Sequence, residues 1–337
     1  MSEIKVNNIQ SLSGTNGPVI SGTVEMNSAG AMALPRGDTA YRGGRGRGLF
    51  AGGTDTNKVI DFVTIVTTGD SKDFGDLTLS RKRMGSCASS VRGVWFSGFE
   101  SPGDRNVIDY ATISSTGNAF DFGDLPEGRR TSSGASNNVT GLLAGGSTGG
   151  GTTDLSDVQK ITISSLGNSS SFGNLDIPKQ LTGGFQSSTR GLFSGDITLA
   201  TSKTIEYFNF TTESNSIDFG DLSLARINLN CCSNSTRGIL AGGNISPANQ
   251  DRIDYVTMAS TGDAIDFGNL TQARQSMKGT ASSPTRGLFA GGYKTPGISD
   301  VIDYITIDTL GNAVDFGDLI TAQAYGAGCS DSHGGLG

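Results

Sequence analysis

Apolar residues along this chain gather in short clusters broken by glycine and by small polar residues. A run such as GLFAGG is apolar and closed by two glycines, and a run such as IDYVTI is rich in β-branched and aromatic residues. Between them lie Ser, Thr, Gly and Asn, the residues that supply turns. The pattern predicts short strands and no helix.

The clusters recur in a fixed order. An Arg-Gly-apolar start falls at Arg47, Arg92, Arg190, Arg237 and Arg286, with Thr140 in the third copy, so that the repeat is 45 to 50 residues long. A second phrase follows at Ile60-Asp61-Phe62, Ile108-Asp109-Tyr110, Ile205-Glu206-Tyr207, Ile253-Asp254-Tyr255 and Ile302-Asp303-Tyr304; in copy three it degrades to Val158-Gln159-Lys160. A third phrase reads DFGDL, SFGNL or DFGNL and ends at Leu77, Leu125, Leu175, Leu222, Leu270 and Leu319. Each Arg-Gly start is preceded by a small, polar stretch such as Gly85–Ser90, suited to a crowded position near an axis. Four strands per unit, A (small, polar), B (GLFAGG), C (IDYVTI) and D (NAIDFGDL), repeated six times at this period, predict an all-β fold, a six-bladed β-propeller.

The phrases Leu77-x3-Arg81, Leu222-x3-Arg226 and Leu270-x3-Arg274, with Gly52-Gly53, Gly242-Gly243 and Gly291-Gly292, resemble the kelch repeat family. Phe of DFGDL stands where that family has Trp, and Trp95 is the only Trp of the chain. The resemblance implies a kelch-like propeller.

Strand counting bears on how the ring closes. B, C and D each occur six times, and a clean A strand follows the last D at Ala324–Ser330. We expect this C-terminal stretch, within 320–337, to complete the first blade; the alternative is that Leu34–Gly46 fills the slot and the C-terminus hangs loose. The propeller then spans 47–337, and residues 1–46 form an extended N-terminal arm outside it. Its apolar pairs Ile4/Val6, Val19/Ile20 and Val24/Met26 are too few for a core of their own. MSEIKVNNIQSLSG and GAMALPRGDTAYR look like the N-terminal attachment segments of bacteriophage tail fibres, and the repeats are similar to Gly-rich repeats in structural proteins of tailed cyanobacterial phages. That resemblance implies a virion protein, assembled in the host cytoplasm, that docks on other virion proteins through residues 1–46 as an oligomer or in many copies.

Composition narrows the chemistry. The chain has 337 residues, 51 of them Gly, and a net charge of −7. Mild acidity argues against a nucleic-acid partner, no apolar run approaches a bilayer span, and the start lacks the apolar stretch of a secretory signal. Cys87, Cys231, Cys232 and Cys329 form no CxxC pair and read as small buried residues. His333, the only histidine, sits in a Gly-rich C-terminal tail, which leaves too few ligands for a propeller copper site and argues against Ser/His/Asp catalysis. No sialidase Asp-box, calcium loop or kinase motif accompanies the repeated DFG, and the isolated Arg36-Gly37-Asp38 and RGGRGRG stretches read as coincidence and as a turn. We therefore expect no enzyme, cofactor or metal.

Recognition is expected on the face that carries the B–C connections, which vary most: Thr54–Lys58, Glu100–Arg105, Ser147–Asp157, Ile197–Ser202, Asn244–Arg252 and Tyr293–Asp300. The same face should bear the D–A cations Arg81, Arg129, Lys179, Arg226 and Arg274 around the channel mouth, with Tyr293, Glu100, Arg105 and Arg252 nearby. Such a ring would receive an acidic glycan of a host surface, or else each cation pairs with an Asp of DFGD. The functions this implies are host attachment by a tail-associated protein, capsid or neck decoration without a host ligand, or a cellular kelch-type interaction adaptor.

Overall fold

The computed structural model describes residues 46–54, 57–197 and 202–336. Six antiparallel sheets stand around a common axis as a β-propeller, each ordered A-B-C-D from the axis outwards. The B strands are Arg47–Ala51, Arg92–Phe96, Thr140–Ala144, Arg190–Ser194, Arg237–Ala241 and Arg286–Tyr293. Blade 1 takes its A strand from the far end of the chain: Ala327–Ser330 pairs with Arg47–Ala51, with Leu49 opposite Cys329. The C-terminal strand therefore closes the ring, as strand counting predicts. Calls on the arm and on residues 34–45 lie outside the described residues.

Each blade is apolar on both faces, so the core is divided into six wedges between neighbours. Leu49, Ile60 and Phe74 of blade 1 pack on Trp95, Ala111 and Ile113 of blade 2. The wedge between blades 6 and 1 holds Leu288, Ile302 and Phe316 against Phe50, Val63 and Ile65. Trp95 is fully buried and its indole N–H donates to Ala327 O at 3.3 Å, so it also ties blade 2 to the closing strand.

The DFG phrase is a β-bulge. Ile60 faces Gly75 and Asp61 faces Asp73, so Phe74 is the extra residue on strand D, and the same register shift recurs in all six blades. The bulged Phe74 turns into the core and meets Phe62 edge-on at 5.9 Å. Gly75 has a φ of +147°, and a Cβ there would lie 2.3 Å from Gly117 O of the next blade. That approach has a purpose. The C–D turn of each blade hydrogen-bonds the outer strand of the preceding one, as Gly117 N to Phe74 O at 2.7 Å, and Gly69 N to Phe316 O at 2.8 Å joins the last blade to the first. Every exposed sheet edge is thus partly covered by its neighbour.

Near the axis, small residues are obligatory for the same reason. A Cβ on Gly134 would sit 2.1 Å from Ser86 O, and one on Gly184 2.2 Å from Gly134 O.

Candidate functional site

The D–A cations do not form an open ring. Arg81, Arg129, Lys179, Arg226 and Arg274 are all buried, each against a carboxylate of strand C in the blade that follows it. Arg81 meets Asp109 at 2.6 Å, Lys179 meets Glu206 at 2.7 Å, Arg226 meets Asp254 at 2.6 Å and Arg274 meets Asp303 at 2.9 Å. Arg129 reaches Asp157 with two hydrogen bonds of 3.0 and 2.9 Å, because Gln159 occupies the usual acid position of blade 3. Burial pushes the Arg81 and Arg274 guanidinium groups down, with Asp109 and Asp303 opposing it. Arginine stays charged under such conditions.

This corrects the expected cation ring at the channel mouth, and also its alternative of pairing with DFGD. The partner is the acid of the IDY phrase. That acid gathers a second donor from the preceding D–A connection: Thr78 Oγ donates to Asp109, Ser223 Oγ to Asp254 and Thr271 Oγ to Asp303, each at 2.6 Å. The Leu-Thr/Ser-x-x-Arg stretch is therefore a clamp that fixes one blade to the next. Blade 1 has Gln323 where the others have a cation, and its Asp61 pairs with Lys278 from blade 6 instead.

The remaining candidates also have partners. Arg105 pairs with Glu100 at 2.9 Å, and Arg252 with Asp254 at 2.8 Å and Asp266 at 3.4 Å. Tyr293 is 40% exposed, and its backbone pairs with Gln275. These contacts belong to a repeated device. The residue after the clamp cation bridges the start of the B–C connection or the residue just before it: Lys82 to Phe99, Arg130 to Ser147, Ile227 to Asn244 and Gln275 to Tyr293. In blades 2, 3, 5 and 6 the connection then folds as its own short hairpin, with a two-residue loop in blades 2 and 5, a four-residue loop in blades 3 and 6, and a different sequence in each. Variable hairpins on a repeated bridge make this the elaborated face of the ring.

At its centre six residues, one from each blade junction, are joined by five backbone hydrogen bonds. Arg83 N donates to Tyr325 O at 2.7 Å, Thr131 N to Arg83 O at 2.8 Å, Leu181 N to Thr131 O at 3.0 Å, Ser276 N to Asn228 O at 2.9 Å and Tyr325 N to Ser276 O at 2.8 Å. Five of the six residues are left-handed: φ is +60° at Arg83, +54° at Thr131, +57° at Asn228, +45° at Ser276 and +61° at Tyr325. None is glycine, so each conformation costs on the order of 1 kcal/mol or more. They surround a cavity of about 130 Å³ that opens the central shaft, and Met84, Thr182, Asn230 and Gly326 line both this cavity and the shaft below.

The far end of the shaft is closed by the Gly-rich C-terminal tail. His333 is buried there. Its Nε2 lies 2.8 Å from Ala88 O, and its Nδ1 accepts from Gln186 Nε2 at 3.0 Å and from Gly335 N at 3.1 Å. These partners assign a neutral imidazole with the proton on Nε2. Burial lowers its pKa to about 4. The four cysteines are buried thiols, pushed up by burial and unsuited to nucleophilic work.

Among the described residues, no group of three or more His, Cys, Asp or Glu is placed to hold a metal ion. No family model matches the chain, and no curated protein matches it.

Proposed function

We propose that this chain is a non-catalytic recognition propeller of a tailed-phage virion, tail-associated, docked through residues 1–46 and presenting its B–C hairpins to a host surface or to another protein. The observation that carries the reading is the difference between the two faces. The chain enters the ring at Gly46, whose carbonyl accepts from Ile65 N at the C–D turn, on the face opposite the hairpins. The hairpins thus occupy one face of the ring, and the first described residue lies on the other. The buried cations, the thiols and His333 are all occupied in holding the propeller together, which supports binding rather than chemistry.

A second reading is decoration of the capsid or neck without a host ligand. The scarcity of exposed aromatic side chains favours it: Phe99 is covered by the Arg130 guanidinium at 3.9 Å, and Tyr293 stands out alone among the loop aromatics named above. Labelling of purified particles tests both readings, since absence of the protein from virions removes each. Binding of the full-length chain to host cells, with and without their surface polysaccharide, then decides between attachment and decoration.

A further inference from the structure

One buried pair departs from the clamps that join the other blades. Asp61, on strand C of blade 1, and Lys278, at the start of strand A of blade 6, have side chains 2% and 1% exposed, and the Lys278 amine donates directly to Asp61 Oδ2. Other strand-C acids hold several donors: Asp109 takes Arg81, Thr78 Oγ and Thr78 N. The connection that should serve Asp61 supplies none of these. Ile320 stands in the place of Thr78, Ser223 and Thr271, and its N–H goes to Ser71 Oγ. Gln323, in the cation place, accepts from Thr54 Oγ. Asp61 Oδ1 is left buried without a hydrogen-bond partner. The other lysine clamp is fully served, since Glu206 takes Asp176 N and Ser216 Oγ besides Lys179.

Lys278 is also an extra residue. Counted from the clamp cation or from Gln323, strand A begins four residues on at Gly85, Ser133, Gly183, Asn230 and Ala327, but five residues after Arg274, at Gly279. Met277 matches Met84 and Gly279 matches Gly85, so the inserted residue is the lysine. It reaches into the wedge between blades 6 and 1, where Phe50 lies opposite Asp61 on the neighbouring strand.

We propose that Lys278 and Asp61 condense into an isopeptide bond that joins blade 6 covalently to blade 1. Lys278 Nζ attacks the carboxyl carbon of Asp61, a C–N bond forms and one C–O bond breaks. Of the three ammonium protons, two leave with that oxygen as water and one stays on the amide nitrogen. The attack needs a neutral amine and a neutral carboxyl, and burial favours both. It lifts Asp61 above the usual carboxylate range, helped by Asp73 opposite it on strand D, and it lowers Lys278, each against the pull of the other. A desolvated lysine is a nucleophile, whereas an arginine in its place stays charged. Direct contact makes the step intramolecular, and the amide replaces two buried charges with a neutral group. Without the bond, ring closure rests on the pairing of Ala327–Ser330 with Arg47–Ala51. The bond links residues 217 apart and keeps blade 1 on blade 6 even when that strand peels away.

The test is mass spectrometry of the denatured full-length protein. Its mass should fall short of that of its sequence by one water. Trypsin should release residues 59–72 joined to residues 275–286, uncut after Lys278, because an acylated lysine is not cleaved. Lys278→Arg should show the full mass, since a guanidinium does not make the attack. The branched peptide of the unsubstituted protein locates the bond by itself, so the proposal stays testable if the variant fails to fold. Near-ultraviolet circular dichroism of buried Trp95 shows that the protein measured is folded. A full mass in folded protein after prolonged incubation overturns the proposal, as does a loss of water that K278R retains or that maps to other residues.

Discussion

The chain carries two arginine series with the same period, and they do different work. The inner series, Arg81, Arg129, Arg226 and Arg274 with Lys179 in blade 4, is buried and held by carboxylates. The outer series begins five of the six B strands: Arg47, Arg92, Arg190, Arg237 and Arg286 lie over Phe62, Tyr110, Tyr207, Tyr255 and Tyr304 at 4.7 to 4.9 Å. Each outer arginine also donates to a backbone carbonyl of the next blade, as Arg47 to Ile113 O at 2.9 Å, and Arg286 to Ile65 O at 3.1 Å across the closure. Burial separates the two. A fully buried guanidinium must have a countercharge, whereas a half-exposed one can keep its water and rest on an aromatic face.

The comparison breaks most sharply where an inner carboxylate is removed. Asp254→Ala leaves Arg226 charged, buried and without its anion, and should lose about 3–5 kcal/mol in urea unfolding. Replacing the pair together, with Arg226→Met and Asp254→Leu, should recover most of that loss. A loss near zero in D254A would mean that the clamp does not hold charge as described.

His333 is the third case, a buried basic group with no countercharge, and it responds by staying neutral. Its folded pKa of about 4 lies below the ordinary 6.5, so the unfolded chain binds the extra proton between these values. The stability it contributes is full above pH 6.5 and is lost as the pH falls towards 4, by about 3 kcal/mol or by the smaller cost of undocking the tail. As the chain has one histidine, its imidazole resonance can be titrated directly, and a midpoint near 6.5 in the folded protein would contradict the buried tail. His333→Asn should flatten this part of the pH profile.

The outer series should be worth less. Arg237→Ala loses the stack on Tyr255 and a 2.9 Å hydrogen bond to Ile307 O, and should lower stability by about 1–2 kcal/mol. The measurement that matters is the ratio: a loss equal to that of D254A would erase the distinction between the two series.

The ring, its six blades and its C-terminal closure were legible because repetition exposes them: a strand counted six times against one counted five needs a partner from the other end. The need for glycine in DFG was not legible, since the neighbour that Gly75 must approach, Gly117 O, lies 42 residues along the chain. The pairing of the inner cations was misread, although a signal was present. The copy with the shorter-reaching Lys179 carries the longer Glu206, and the copy with Gln323 has its Asp61 paired elsewhere. The matched Lys179–Glu206 exchange within one chain points to the IDY acid. Nothing in the sequence marked the left-handed backbone of Thr131 and Ser276, because single small polar residues carry no pattern.

Blade 3 offers the finest test, because it lacks the outer device. Thr140 stands where the other blades have arginine, and Lys160, at the stacking position, pairs with the exposed Glu213 of blade 4. The acceptor position is nevertheless preserved. Phe210 takes the place of Ile113, Ile163, Met258, Ile307 and Ile65, and its N–H bonds Thr189 O as Ile113 N–H bonds Val91 O. The double substitution Thr140→Arg and Lys160→Tyr should therefore rebuild the stack and the hydrogen bond to Phe210 O. The lost Lys160–Glu213 pair is exposed and weak, so the net gain should be at most about 1 kcal/mol. Each single substitution should give less than the pair, because the arginine needs its ring and the tyrosine needs its cation. Additive or negative effects in a double-mutant cycle would show that blade 3 has settled into a different junction, built on the Phe172, Phe193 and Phe208 rings that meet there at 5.9 to 6.0 Å.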